Sequence, residues 1–225
     1  FAADGQLSMT DTFDMGQPAR RIAIATAFEL GSVGAEKISR SIILAYDDLY
    51  SIEYLYRRLR PYWRRHGWNA SDLLQAALNE QANVQQACEQ LDEELMTDLA
   101  QVGGTKYARL CALAFRQCLA AHKLVADIDD TPLFFSKENF SNGCTATVDV
   151  TYPASPFYLL FNPELLKGAM QPILEYASLP RWRFPFAPHD IGTYPLANGQ
   201  VYGGGEHSEE NQMPVEECGN MLILA

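Results

Sequence analysis

The sequence predicts a mainly α fold with minor β, and three observations carry that reading. Apolar residues recur at three- and four-residue steps over residues 70–101, 105–125 and 159–179. Strict alternation appears in ARRIAIATAFEL (19–30) and in TATVDVTY (145–152), the period of half-buried strands. Residues 180–219 carry neither period, only Pro and Gly punctuation around aromatic and ionisable side chains.

Taken in order, residues 1–18 read as a connector. Residues 19–30 and the apolar run 39–45 then form a β-hairpin belonging to an upstream β domain. Asp47 and Asp48 open a helix to about Arg65, where an acidic pair suits the positive end of the helix dipole. Asn69 or Ser71 caps the next helix, 70–101, whose stripe is Leu74, Ala77, Val84, Cys88, Leu91, Leu95 and Leu99. Gly103 and Gly104 end it, and a helix over 105–125 completes an αα-hairpin. A β-hairpin is expected near 133–152. Asn162, Pro163 and Glu164 start a helix to 179, as a cap followed by Pro at the first helical position. The long loop 180–212 follows, with Asn198 and Gly199 as a hairpin turn between Tyr194 and Tyr202. Met213 and Pro214 begin a last helix. The predicted organisation is 1–45 as connector and hairpin and 46–225 as a helical segment. A start at Phe1 and an end in the apolar run GNMLILA lead us to expect a piece of a longer protein, cut within a helix.

The 225 residues carry 17 basic and 28 acidic side chains, a net charge of −11. Phosphate neutralisation needs clustered Lys and Arg, so no nucleic-acid partner is expected. The cluster Arg57, Arg58, Arg60, Arg64 and Arg65 alternates with Tyr54, Tyr56, Tyr62 and Trp63, and reads as a solvated helix face with Arg–aromatic stacking. No apolar run reaches the roughly 20 residues of a membrane-spanning helix. Five cysteines show no metal-ligand spacing, and three of them sit on helix stripes as buried small hydrophobes.

Acid–base chemistry needs carboxylates in unlike environments. Pro214 puts Glu216 and Glu217 in one first turn, where neighbours point about 100° apart, so at most one faces a cavity. The other reading is a pair of carboxylates answering the helix dipole. His189 and Asp190 follow a run of prolines and precede Gly192. In extended backbone the two cannot bond to each other, so separate partners are expected. With Glu206 and His207 they offer metal-type donors, but in no known ligand spacing, and no metal or cofactor is expected. Asp149, on a predicted strand, shares a polar face with Thr147 and Thr151 and is a further acid. Gly203, Gly204 and Gly205 lack the Lys and flanking elements of a phosphate loop, and no GxSxG elbow is present.

Five stretches resemble the glutaminase A family of large secreted or periplasmic proteins. These are YDDLYSIEYLYRRLRPYWRRHG (46–67), SKENFSNGCTATVDVTYPASPFYLLFNPELL (136–166), PRWRFPFAPHDIGTYPLANGQVYGG (180–204), MPVEECGNMLIL (213–224) and, more weakly, RRIAIATAFELG (20–31). The resemblance implies the family's central domain of unknown function, set between an upstream β-sandwich and a helical region similar to the (α/α) toroids of six-hairpin glycosidases. It also implies hydrolysis of L-glutamine to L-glutamate and ammonia, a secreted or periplasmic location, and flanking domains of the same polypeptide as partners. The Ser–Lys pair of serine-dependent glutaminases is absent. In an amidohydrolase, Glu216 or Glu217 and Asp190 serve as acid and base, and Arg183 holds a substrate carboxylate. In a carbohydrate-active module, Trp182, Tyr194 and Tyr202 stack on sugar rings. His189, Asn198 and Glu206 complete the expected substrate contacts. In either case this chain supplies one wall of a shared pocket.

Overall fold

The computed structural model describes residues 25–138 and 140–225. The chain divides into two units, Phe1–Leu44 and Ala45–Ala225. The expected connector and the start of the first strand lie outside the described residues. Residues 25–45 carry no strand, so the hairpin expected there is not formed by the part described.

In the second unit the chain runs β1 (Ile52–Tyr54), β2 (Arg57–Pro61), a 3-10 turn (Tyr62–Arg64), α1 (Ala70–Ala120), β3 (His122–Ala126) and β4 (Pro132–Ser136). It continues through α2 (Val148–Phe161), α3 (Pro163–Ser178), β5 (Leu196–Ala197) and α4 (Pro214–Leu224). The sheet order is β4-β3-β2-β1-β5, antiparallel except for the parallel pairing of β5 with β1. The long loop thus contributes the edge strand.

The helix predicted from Asp47 to Arg65 is instead the β1–β2 hairpin. Its two turn residues, Leu55 and Tyr56, adopt φ of 46° and 65°. A two-residue hairpin turn of type I′ needs positive φ at both positions, which Asn and Gly accept and Leu and Tyr resist. A distant residue supports it: the Tyr56 amide donates to Oδ1 of Asn198 at 2.8 Å, and Nδ2 of Asn198 donates to Glu53 at 2.8 Å. The arginines therefore decorate a strand and a turn, yet they do stack on aromatic rings, Arg65 on Tyr62 at 3.9 Å and Arg64 on Trp63 at 4.6 Å. Asp47 and Asp48 pair with Arg64 and Lys123 instead of starting a helix.

Asn69 caps α1 in a capping box with Asp72. The helical run breaks at Gly104, which takes φ 79° and ψ 175°. Only Ala108 is buried in it, and Leu74, Val84 and Leu91 of the predicted stripe are exposed. Cys88 is exposed and Cys111 and Cys118 are only partly covered, so the expected burial of these cysteines is not seen. The helix stops at Ala120, short of 125, because Leu124 and Val125 pair with Phe134 and Leu133 of β4.

The stretch 145–152 is the other reversal. Thr145 to Thr147 are buried, but the chain bends at Ala146, with φ 53°, and α2 begins at Val148 despite its β-branched residues. Both flanks of this junction are tied to the loop. The Thr145 amide donates to Gly192, the Ile191 amide to Thr145, and the Val148 amide to His189, at 2.8–3.1 Å. The helix over 159–179 is realised as α3, with Asn162 as its cap. Its Gly168 lies against β4, where an added Cβ would stand 2.8 Å from the carbonyl oxygen of Pro132. The core gathers Ile52, Tyr54, Leu59, Leu133, Phe135, Ile173, Tyr176, Trp182 and Ile191 between the sheet, α3 and the loop. A second cluster, Phe134, Tyr158, Leu166 and Ala169, joins α2 to α3. No hairpin links Tyr194 to Tyr202. Asn198 and Gly199 follow β5, and the Gly199 amide returns to Ile191. No helix among the described residues is long and apolar enough to cross a membrane.

Candidate active site

Asp149, His189, Asp190 and Glu217 converge from three segments of chain. The backbone ladder between 145–148 and 189–192 sets the first turn of α2 beside His189. Packing of α4 against α2, together with a bond from the Ala187 amide to Sγ of Cys218 at 3.3 Å, brings the first turn of α4 onto the same spot. Glu217 is completely buried there, while Glu216 points to solvent. The helical offset of neighbours decides between them, and only Glu217 joins the cluster.

Asp190 is the anchor. Its Oδ1 accepts from the amides of Gly192 at 2.8 Å and Val201 at 3.1 Å, and its Oδ2 from that of Tyr202 at 3.1 Å. The same Oδ2 lies 3.0 Å from Nδ1 of His189. This bond corrects the expectation of separate partners. The chain bends at His189 instead of running extended, and Gly192, whose φ of 142° few other residues adopt, follows two residues after Asp190. An anchored carboxylate against Nδ1 assigns the ring proton to that nitrogen and leaves Nε2 facing inward. Nε2 lies 4.0 Å from Oδ1 of Asp149. The ring stacks on Tyr202 at 4.1 Å, and the His189 amide donates to the buried Gln200 at 2.8 Å.

Charges in this cluster perturb one another. Burial, then the neighbouring Asp149, push the carboxyl of Glu217 up to about 7. Neither of its oxygens has a hydrogen-bond partner, nor does Oδ1 of Asp149. Burial, reinforced by Glu138 and Glu216 against the pull of His189, raises Asp149. Burial works against a charged His189, but its bond to Asp190 and the charges of Asp190, Asp149 and Glu217 outweigh it and raise the ring. Cys144, buried beside Asp190 and Glu138, is pushed up to about 12 and keeps its proton. Asp149 is the member open to solvent, its side chain 31% exposed.

The remaining predicted residues lie elsewhere. Trp182 is in the core, its indole donating to the carbonyl of Phe186 at 2.7 Å, so it offers no exposed face for a sugar. Tyr194 donates its hydroxyl to Ser51 at 2.9 Å, and Tyr202 is covered by His189. Arg183 is exposed, and its neighbour Arg181 is the residue that pairs with Glu206, at 2.7 Å. Tyr176 also donates to Glu206, at 2.6 Å. Asn198 and Glu206 line a separate open groove of about 570 Å³ with Arg181, Gln200 and His207. The backbone of Gly192 and Val201 serves both places, but no side chain of the Asp149–Glu217 cluster lines the groove. Gln200 and Gly192, which hold His189 and Asp190, carried no signal in the sequence beyond their neighbourhood.

Two family descriptions match the chain. The "Glutaminase A six helical-hairpin domain" covers residues 104–225, and a domain of unknown function (DUF5127) covers residues 1–98. The two meet beside the helix break at Gly104. Glutaminase A of Aspergillus oryzae is 37% identical over 164 residues, covering 72% of this chain and 23% of that protein. A protein of Arthroderma benhamiae named "Probable glutaminase" is 32% identical over 167 residues, covering 74% of this chain and 19% of that protein. No solved structure matches. The chain thus spans less than a quarter of the length of either relative, and it belongs to the glutaminase A six helical-hairpin domain family.

Proposed function

We propose that this chain supplies the acid–base wall of a glutaminase that hydrolyses L-glutamine to L-glutamate and ammonia. The observation that carries the reading is the convergence of the buried, unpartnered Glu217 with Asp149 on the imidazole edge of a fixed His189–Asp190 pair. Amide hydrolysis needs a group that takes a proton from water and one that returns it to the departing nitrogen. Glu217 and His189 Nε2 fill these roles. A water reaching them past Asp149 attacks the side-chain carbonyl carbon of glutamine and gives up its proton. The tetrahedral adduct receives a proton on nitrogen, the C–N bond breaks, and ammonia leaves. Asp190 positions the ring by holding Nδ1, and Asp149 supplies negative charge beside the protonated imidazole.

The matches to proteins named for glutaminase support the substrate. Arg183, exposed at the start of the loop, serves as the counter-ion for the glutamine α-carboxylate. The toroid implied by a six-hairpin domain is completed by helices that the longer relatives have room for, in which case the exposed faces of α1 and α4 turn inward. The sugar-binding reading loses its platforms, because Trp182 is buried and Tyr202 is stacked on His189. Assay of ammonia release from glutamine and asparagine, beside aryl glycosides, tests the class in the protein carrying this chain. Glycoside cleavage without ammonia release would overturn it.

A further inference from the structure

Asp149, His189 and Glu217 present the donor set of a coordination site. We infer that these three side chains bind one divalent transition-metal ion of the zinc class, through a carboxylate oxygen of Asp149 and of Glu217 and Nε2 of His189. This rests on the reading of the cluster as the place where water is activated, and changes the roles within it: with the ion bound, Glu217 and His189 Nε2 hold it instead of exchanging protons, and the water on the ion loses its proton to solvent.

One donor atom from each residue lies within 4.8 Å of the other two. Donors around such an ion stand roughly 3.4 Å apart in tetrahedral geometry, so only a small inward movement is needed. Closeness of acidic groups alone would say little. The second observation is Glu217, which is fully buried with both oxygens unpartnered, joined by the unpartnered Oδ1 of Asp149. Native interiors seldom leave buried carboxylate oxygens bare, and an ion supplies what the protein does not.

The surroundings fit as well. A metal-ligating histidine almost always donates its other ring nitrogen to a carboxylate, which fixes the tautomer and aims the free nitrogen. Asp190 does this for His189, and three backbone amides in turn hold Asp190. The neighbouring trio Cys144, His189 and Asp190 is also close enough to hold an ion. There, however, Asp190 is already saturated by hydrogen bonds, so the ion belongs on the Nε2 side. An imidazole with carboxylates selects a borderline metal over calcium, which prefers six or more oxygens. Three protein donors, with the exposed edge of Asp149, leave a coordination position for water. An ion there lowers the pKa of that water, which suits hydrolysis at neutral pH.

Calorimetric titration of the chelator-treated protein with zinc, and separately with calcium, tests the inference. We expect one zinc site per chain that weakens at least tenfold in Glu217→Gln and in Asp149→Asn. It should weaken roughly 10–100-fold in Asp190→Asn, which touches no metal, and be unchanged in Glu216→Gln. Circular dichroism checks that each variant is folded. Zinc binding to Glu217→Gln as to the wild type, the absence of a one-to-one site, or a preference for calcium would each overturn it. Loss of ammonia release in Glu217→Gln without any zinc site would sink this inference and leave the proposed function standing. Zinc binding without ammonia release would do the reverse.

Discussion

The choice between Glu216 and Glu217 turns on a rotation of about 100° between helical neighbours. The sequence shows the pair and its helix but not which member faces inward, because that depends on how α4 packs against α2. Asp190 poses a different case. It is held by three amides and touches the rest of the cluster only through His189, so it acts by position. Asp190→Asn should lower kcat about 100-fold, with KM near its original value and a shifted pH profile. Asp190→Glu should restore little, since the amide cradle fits the shorter side chain. Equal changes in kcat and KM with an unchanged pH profile would point to a general structural role instead. The individual residues His189, Asp190, Asp149 and Glu217 were all legible as candidates. Their mutual bonding was not, because the bend at His189 and the amides that hold Asp190 are properties of the folded loop.

At the scale of elements, helices with strong local signals were readable: Asn69 with Asp72 starts α1, Asn162 with Pro163 starts α3, and Pro214 starts α4. The reversals occur where distant contacts override local preference. The β1–β2 turn has no Asn or Gly of its own and takes its support from Asn198. Asn198→Ala should therefore destabilise the hairpin by about 1–2 kcal/mol, measured by urea unfolding. An unchanged midpoint would show that the turn stands alone. Packing of α3 on β4 supplies a second test. Gly168→Ala forces a methyl group toward the Pro132 carbonyl oxygen, 2.8 Å away. We expect a loss of about 1–3 kcal/mol, seen as a lower melting temperature.

On the scale of the whole molecule, stability should depend on pH through a residue outside the proposed site as well as through the site. His122 is stacked on Phe134 at 4.4 Å and lies 3.2 Å from the hydroxyl of Tyr158, with Nδ1 2.7 Å from the carbonyl oxygen of Cys118. Burial, with Lys137 nearby, depresses its pKa from 6.5 to about 4, although the Cys118 bond opposes this. A base with a depressed folded pKa contributes full stability above its unfolded value near 6.5 and loses it as pH falls toward 4. Between pH 7 and 5 the His122 contribution should fall by about 2 kcal/mol, read as the difference between the urea-unfolding pH profiles of the wild type and His122→Gln, because the raised Glu217 carboxyl adds stability over the same range. Removal of that component in His122→Gln should leave a variant that loses less stability than the wild type on acidification from pH 7 to 5. The molecule-wide arrangement was the least legible part. The mixed sheet draws β5 from the middle of a loop, and the long stripe of α1 finds no partner among the described residues.

The central claim is that water activation for amide hydrolysis depends on Glu217, carried by α4 to the His189–Asp190 pair. Its most direct test compares ammonia release from L-glutamine by Glu217→Gln and Glu216→Gln in the protein carrying this chain. The account predicts a loss of roughly 100- to 10,000-fold in kcat for Glu217→Gln and near-normal turnover for Glu216→Gln. Wild-type turnover in a folded Glu217→Gln variant would contradict it.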